Sequence, residues 1–205
     1  MCDSIAFDFD GTLIDISMRD YLIYRDILTE GNYKYLSFNN YWEMRRSKIN
    51  IFNLLQSSNV DEKYFDYFIQ KRKSLIEIEE YLKKDILFPH TIKTLKYLTQ
   101  HYNCYLVTMR NNKFNTLRQI EWLGINDYFK EIIVTSQNKI NTFSKIKNLK
   151  FVIGDTENDI IPANKLAIIS IAITTGIRNE KLLKKYEPDF LIKDLIEIKN
   201  ILYNV

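Results

Sequence analysis

The sequence has little cysteine, little proline, almost no net charge and no long apolar run. Its two cysteines, Cys2 and Cys104 in 205 residues, lack any zinc-ligand spacing. They are expected to be reduced thiols of a cytoplasmic protein. Five glycines and three prolines are scattered along the chain, and no repeat, low-complexity tract or flexible linker is found. Lys and Arg number 29 against 26 Asp and Glu; a net charge of +3 with the signs interspersed excludes a bulk electrostatic binder of nucleic acid. No apolar stretch is long enough to cross a membrane. The first ten residues hold Asp3 and Asp8 instead of a basic region followed by an apolar one, so no secretory signal is expected. What is left is a soluble globular chain, 46% hydrophobic, long enough for one domain with a small insertion.

What is there is organised around residues 5–15, Ile-Ala-Phe-Asp-Phe-Asp-Gly-Thr-Leu-Ile-Asp. A short apolar run ends abruptly in two carboxylates and a turn, as a buried strand does at its carboxyl end, where open α/β sheets place their ligands. Residues two apart share a face of an extended segment, so Asp8 and Asp10 can point into one site, and Gly11 lets the chain turn behind them. Two close carboxylates repel and need a cation or a proton. The plainer reading is a strand ending in a solvated Asx turn.

Along the chain two architectures alternate. Residues 16–86 hold no convincing strand, and apolar residues recur at helical spacing over 21–28, 38–44 and 51–55. The longest helix is expected from Asp61 or Glu62 to about Leu82, with Asp61 as its N-cap. Phe88-Pro89 breaks that pattern, and 91–98 resumes it. Strands then alternate with helices. Strands are expected at 103–108, 132–135, 150–153, 168–174 and 190–192, with helices at 114–123, ended by Gly124, and at about 141–146. This implies an α/β fold: a Rossmann-like, doubly wound parallel sheet formed by 1–15 and 87–205, with an inserted all-helical domain over 16–86. The crossings near 15 and 87 are expected hinges.

Three more strand ends carry polar residues. Thr108 ends the second, where its hydroxyl and the following amides suit phosphate oxygens, or simply satisfy the backbone. Lys139 follows the third as a compact positive charge, or as a solvated loop lysine. The fourth delivers Gly154-Asp155-Thr156-Glu157-Asn158-Asp159. Asp155 follows an apolar run as Asp8 does, and Asp159 begins a helix with Pro162 in its first turn, which a helix cap would equally explain. Taken together, Asp8, Asp10, Thr108, Lys139, Asp155 and Asp159 lie at four strand ends of one sheet edge. Several carboxylates without a His or Cys cluster favour a hard divalent cation, which for Mg²⁺ means one or two carboxylates, waters and a substrate phosphate.

Asp8-Phe9-Asp10-Gly11-Thr12, paired with Gly154-Asp155 and Asp159, resembles the first and last motifs of the haloacid dehalogenase-like hydrolase superfamily over 1–15 and 87 to about 195. The resemblance implies that Asp8 is a nucleophile forming an aspartyl-phosphate, and that Asp10 protonates the leaving oxygen and then activates water. It implies that Thr108 and Lys139 hold phosphoryl oxygens. Asp8, the backbone carbonyl of Asp10 and Asp155 would hold Mg²⁺, and Gly11, Thr12, Gly154 and Asp159 would support the site, Asp159 through Lys139 or through a metal-bound water. Crowding and burial are expected to raise the Asp10 pKa, since an acid must be protonated. True dehalogenases of the superfamily lack the second carboxylate, so Asp10 points to phosphate chemistry.

Two positions depart from the family pattern. An Asn often follows the Thr, whereas this chain reads Thr108-Met109-Arg110-Asn111. Arg110 is expected either to contact phosphate or to pair with a residue of the helical insertion. The short separation of Lys139 from Asp155 leaves room for only a brief helix and makes Lys145 an alternative for the lysine role. The insertion resembles a cap that excludes water and selects the leaving group; its candidates for substrate contact are Arg19, Tyr21, Arg45, Arg46 and Lys48, each equally readable as a solvated helix face. The expected activity is Mg²⁺-dependent hydrolysis of a small soluble phosphate ester, without nucleic-acid or membrane partners. A sugar phosphomutase on the same scaffold and a non-catalytic binding protein are the alternatives.

Overall fold

Residues 5–7 alternate between two layers. Ile5 and Phe7 enter an apolar cluster with Leu106, Phe151, Ile153 and Ile171, while Ala6 faces a second cluster holding Tyr105, Val107, Phe143 and Val152. A strand buried on both faces belongs in the middle of a sheet covered by helices on both sides. The computed structural model describes residues 2–204. Its strands are β1 (Ser4–Phe7), β2 (Ile14–Asp15), β3 (Ile86–Leu87), β4 (Asn103–Met109), β5 (Glu131–Thr135), β6 (Leu149–Gly154), β7 (Ile169–Ile173) and β8 (Phe190–Ile192). Six of them form one sheet in the order β5-β4-β1-β6-β7-β8, and every pairing in it is parallel. This is the Rossmann-like α/β architecture that the alternating pattern implies. Phe7 lies opposite Leu106 and Ile153, so the ends of β1, β4 and β6 meet at one edge.

The helices are α1 (Ser17–Glu30), α2 (Phe38–Arg46), α3 (Ile51–Gln56), α4 (Phe65–Leu75), α5 (Glu79–Leu82), α6 (Thr91–Leu98), α7 (Lys113–Trp122), α8 (Ile140–Phe143), α9 (Glu157–Lys165), α10 (Glu180–Lys184) and α11 (Ile198–Asn204). The first five make a block with its own apolar cluster, including Ile23, Tyr24, Ile27, Tyr41, Leu54 and Phe68. Tyr24 and Tyr41 stack with ring centroids 4.4 Å apart. Trp42 packs against this cluster and against that of the sheet. Both crossings into the block are joined by a short antiparallel pair, β2 with β3, in which Ile14 faces Leu87 and Asp15 faces Ile86.

Three local expectations change. The helix expected over 61–82 is divided into a 3₁₀ turn (Glu62–Tyr64), α4 and α5, so the longest helix among the described residues is α1. Tertiary bonds drive the break: Ile78 is extended, the Ile76 carbonyl accepts from Arg19 at 3.2 Å, and the Glu77 carboxylate accepts from the Asn111 amide at 3.0 Å and from the Asn112 amide. Asp61 caps nothing with its side chain; its carboxylate accepts from the Tyr33 hydroxyl at 3.1 Å. The helix expected to begin at Asp159 starts instead at Glu157, with Thr156 as N-cap and Asp159 closing a capping box. Pro162 therefore lies beyond the first turn. The helix α8 is brief, as the short spacing requires, and Gly124 ends α7 with φ +67°.

Candidate active site

Asp8 leaves β1 with its amide donating to the Ile153 carbonyl at 2.9 Å, which keeps it in line with the sheet. Its carboxylate meets the Lys139 ammonium at 2.7 Å, and Lys139 also reaches Asp159 at 2.6 Å. Lys139 is only 2% exposed. Burial alone would lower its pKa, but Asp159 and Asp8 outweigh that and keep the ammonium charged. Lys145, the alternative, is exposed and lines a groove along the outer strand β5, among Lys130, Ile133 and Thr142.

Asp155 follows β6 and sits in a close-fitting cradle. The Ile177 amide donates to its Oδ2 at 2.6 Å and the Thr12 hydroxyl donates to its Oδ1 at 3.3 Å. Gly11, with φ +78°, would place a Cβ 2.3 Å from that carboxylate, and Gly176 would place one 1.9 Å away, so only glycine fits either position. Gly154 plays the same part for Asp159, where a Cβ would lie 2.2 Å from Cγ. Asp159 bonds Lys139 through one oxygen and the Thr156 amide and hydroxyl through the other.

Carboxylate oxygens of Asp8, Asp155 and Asp159 lie within 4.8 Å of one another. Burial and mutual repulsion push Asp8 and Asp155 well above the usual carboxylate range. One ammonium does not balance three carboxylates, and a hard divalent cation suits this oxygen donor set. Asp8 and Asp155 have the freer oxygens for it. On the neighbouring strand β4, two residues beyond the Leu106 that pairs with Phe7, the Thr108 hydroxyl is buried and has no hydrogen-bond partner, an unfilled donor.

Asp10 differs from expectation. Its Oδ1 accepts from Arg19 at 2.6 Å and from Arg110 at 2.5 Å, and its Oδ2 accepts from Arg110 Nε at 2.7 Å. Burial by itself would raise its pKa, but Arg110 and Arg19 override it and hold the carboxyl well below the usual carboxylate range. The expected upward shift is corrected by these two guanidiniums. The Asp10 side chain is thus engaged by Arg19 and Arg110. Arg110 bonds Asp10 through Nε and Nη2 and Gln119 at 2.6 Å through Nη1, and it also feels the charges of Asp85 and Glu77 from the helical block. Its guanidinium also lies 4.9 Å from the Phe9 ring.

Each of the helical residues expected near a substrate has a partner within the protein, Arg19 on Asp10 among them. Tyr21 donates to the Leu36 carbonyl, and Arg45 binds Asp20 at 2.7 Å. Arg46 donates to the Thr174 carbonyl at 2.7 Å, and Lys48 pairs with Glu157 at 2.8 Å. Arg46 and Lys48 thus fasten the block to the far side of the same edge. Sequence reasoning missed Asp85, Gln119, Gly176 and the Ile177 amide. Gln119 had a signal, a polar residue sharing the buried face of α7 with Thr116 and Ile120; Asp85 had none, because its partners come from distant segments.

Comparison with known proteins follows the same lines. The family profile described as haloacid dehalogenase-like hydrolase matches residues 5–173. The chain is similar to pyrophosphatase PpaX of Oceanobacillus iheyensis, 22% identical over 214 residues, covering 97% of this chain and 95% of that protein. It is similar to a phosphoglycolate phosphatase of Vibrio vulnificus, 26% identical over 219 residues, covering 96% and 94%. Among solved structures, a haloacid dehalogenase-like family hydrolase from Streptococcus pneumoniae superposes with a TM-score of 0.80 at 21% identity, over 98% of both chains. That likeness concerns the fold.

Proposed function

The chain belongs to the haloacid dehalogenase-like hydrolase family, and on that premise we propose that it is a cytoplasmic, Mg²⁺-dependent phosphatase hydrolysing small soluble phosphomonoesters. The carrying observation is the convergence of Asp8, Lys139, Asp155 and Asp159 at one sheet edge, with an unpartnered Thr108 hydroxyl on the adjacent strand β4. The names of the two relatives, a pyrophosphatase and a phosphoglycolate phosphatase, support small phosphate compounds as substrates. No helix among the described residues is long and apolar enough to cross a membrane.

Asp8 attacks phosphorus with a carboxylate oxygen, and the bond to the leaving oxygen breaks with its electron pair. Lys139 and Thr108 hold the phosphoryl oxygens while charge shifts across them. Asp159 keeps the Lys139 ammonium in place. Asp8, Asp155 and the Asp10 carbonyl would hold Mg²⁺, which when bound supplies positive charge to the phosphoryl group and relieves the repulsion among the carboxylates. Asp10, ionised between its arginines, is in the form that takes a proton from water. Water oxygen then attacks the phosphorus of the aspartyl-phosphate, and the bond to Asp8 breaks with its pair returning to the carboxylate. To protonate a leaving oxygen in the first step, Asp10 must part from the guanidiniums. The helical block over 16–86 serves as the cap, and 1–15 with 87–205 form the core.

The test is phosphate release from an aryl phosphate, with and without Mg²⁺, by the wild type and by Asp8→Asn. Metal-dependent release by the wild type, lost in the variant, is the expected result. Release by Asp8→Asn at the wild-type rate would overturn the aspartyl-phosphate route, and isomer interconversion of a sugar phosphate with little free phosphate would move the assignment to a mutase.

A further inference from the structure

We propose that Gln119 and Asp85 are positioning residues for the reaction: with Arg19 and Arg110 they close a buried ring of polar side chains that fixes the direction of the Asp10 carboxylate. The inference rests on the reading of Asp10 as the base of the second step.

The ring can be followed atom by atom. Arg110 grips Asp10 through Nε and Nη2 and turns Nη1 to the Gln119 oxygen. The Gln119 nitrogen donates to Asp85 Oδ2 at 2.7 Å and to the Leu82 carbonyl at 3.1 Å. Asp85 Oδ1 faces Arg19 Nε at 3.3 Å, as an ion pair without hydrogen-bond alignment. Arg19 returns to Asp10 through Nη2 and is held from behind by the Ile76 carbonyl through Nη1. Gln119 is 0% exposed, Arg19 2%, and Arg110 and Asp85 4% each.

Two features make this a frame for Asp10 rather than an arbitrary buried network. An arginine bonded to a carboxylate alone can turn with it, whereas both arginines here are anchored on the side away from Asp10. Gln119 supplies an acceptor to Arg110 and a donor to Asp85 from one planar amide, which neither a carboxylate nor an apolar side chain reproduces. The frame also distinguishes the two oxygens of Asp10. Oδ1 accepts two hydrogen bonds and Oδ2 accepts one, so the remaining lone pair suited to a proton from the attacking water is on Oδ2. Misplacement of a reacting group by about 1 Å costs roughly a hundredfold in rate, so a residue that fixes this oxygen acts on the hydrolytic step without touching substrate.

The test uses the full chain with Mg²⁺ and p-nitrophenyl phosphate, whose leaving group departs without help from an acid. Gln119→Met keeps the volume and removes both hydrogen-bonding ends. Expected is a fall in kcat of about ten- to a hundredfold with KM within about twofold, and accumulation of phosphorylated Asp8, seen by acid quench and mass measurement. The double variant Asp10→Asn, Gln119→Met is expected to be no slower than Asp10→Asn alone. Asp85→Asn, which still accepts from Gln119 but loses the charge facing Arg19, should give a smaller loss of the same kind and serves if Gln119→Met does not fold. Additive losses in the double variant, or a slowed enzyme without phosphoenzyme, would overturn the positioning role. A wild-type rate in Asp8→Asn would instead overturn the catalytic reading beneath it.

Discussion

Gly176 lies so close to Asp155 that a Cβ on it would stand 1.9 Å from the carboxylate oxygen. The glycine and the carboxylate define each other's position, and the Ile177 amide that follows fastens the same oxygen at 2.6 Å. Gly176→Ala must therefore turn Asp155 away from Asp8. The expected outcome is a weaker apparent affinity for Mg²⁺, by about tenfold or more, with part of the activity regained at high Mg²⁺. A Mg²⁺ titration of phosphate release checks it.

Among the described residues, Lys139 is the sole ammonium at the three carboxylates. Lys139→Met leaves buried charge without its partner, which costs about 3–5 kcal/mol of stability, and it removes a phosphoryl ligand, which costs about 10²–10³ in kcat. Urea denaturation with and without Mg²⁺ separates the two effects. Added Mg²⁺ should restore part of the stability and little of the rate.

Asp85 gives a pH dependence of known sign. Burial pushes its carboxyl up from 3.8 to about 7, against the pull of Arg19. The folded protein thus binds a proton that the unfolded chain releases, and this contribution to stability is complete below pH 3.8 and lost as pH rises through about 7. The loss amounts to at most about 4 kcal/mol. Asp85→Asn should flatten that part of the stability curve, as followed by denaturation midpoints between pH 4 and 8.

Glu77 joins the helical block to the start of α7, accepting from the amides of Asn111 and Asn112, while its own carbonyl accepts from Asn115 at 2.8 Å. Glu77→Ala removes a charged cap from a helix N-terminus, and a loss of about 1–2 kcal/mol is expected. Faster amide hydrogen exchange over 111–115, with β1 and β6 unchanged, would mark the effect as local.

The sheet and the residues at its edge follow from local sequence patterns. A buried parallel strand is a local pattern: Ile5-Ala6-Phe7 before Asp8, and Phe151-Val152-Ile153 before Gly154-Asp155, carry their apolar run and their turn in adjacent residues. Right-handed crossovers then bring such ends together. That is why Asp8 and Asp155 are legible in the sequence. The break between α4 and α5 was not, because the apolar period runs through it and only the bonds made by Ile76 and Glu77 interrupt the helix. Tertiary structure alone decided the state of Asp10. Its arginines come from α1 and from the end of β4, and Gln119 and Asp85 hold them from two further segments. A carboxylate's charge follows from what surrounds it in space, and no spacing along the chain encodes that surrounding.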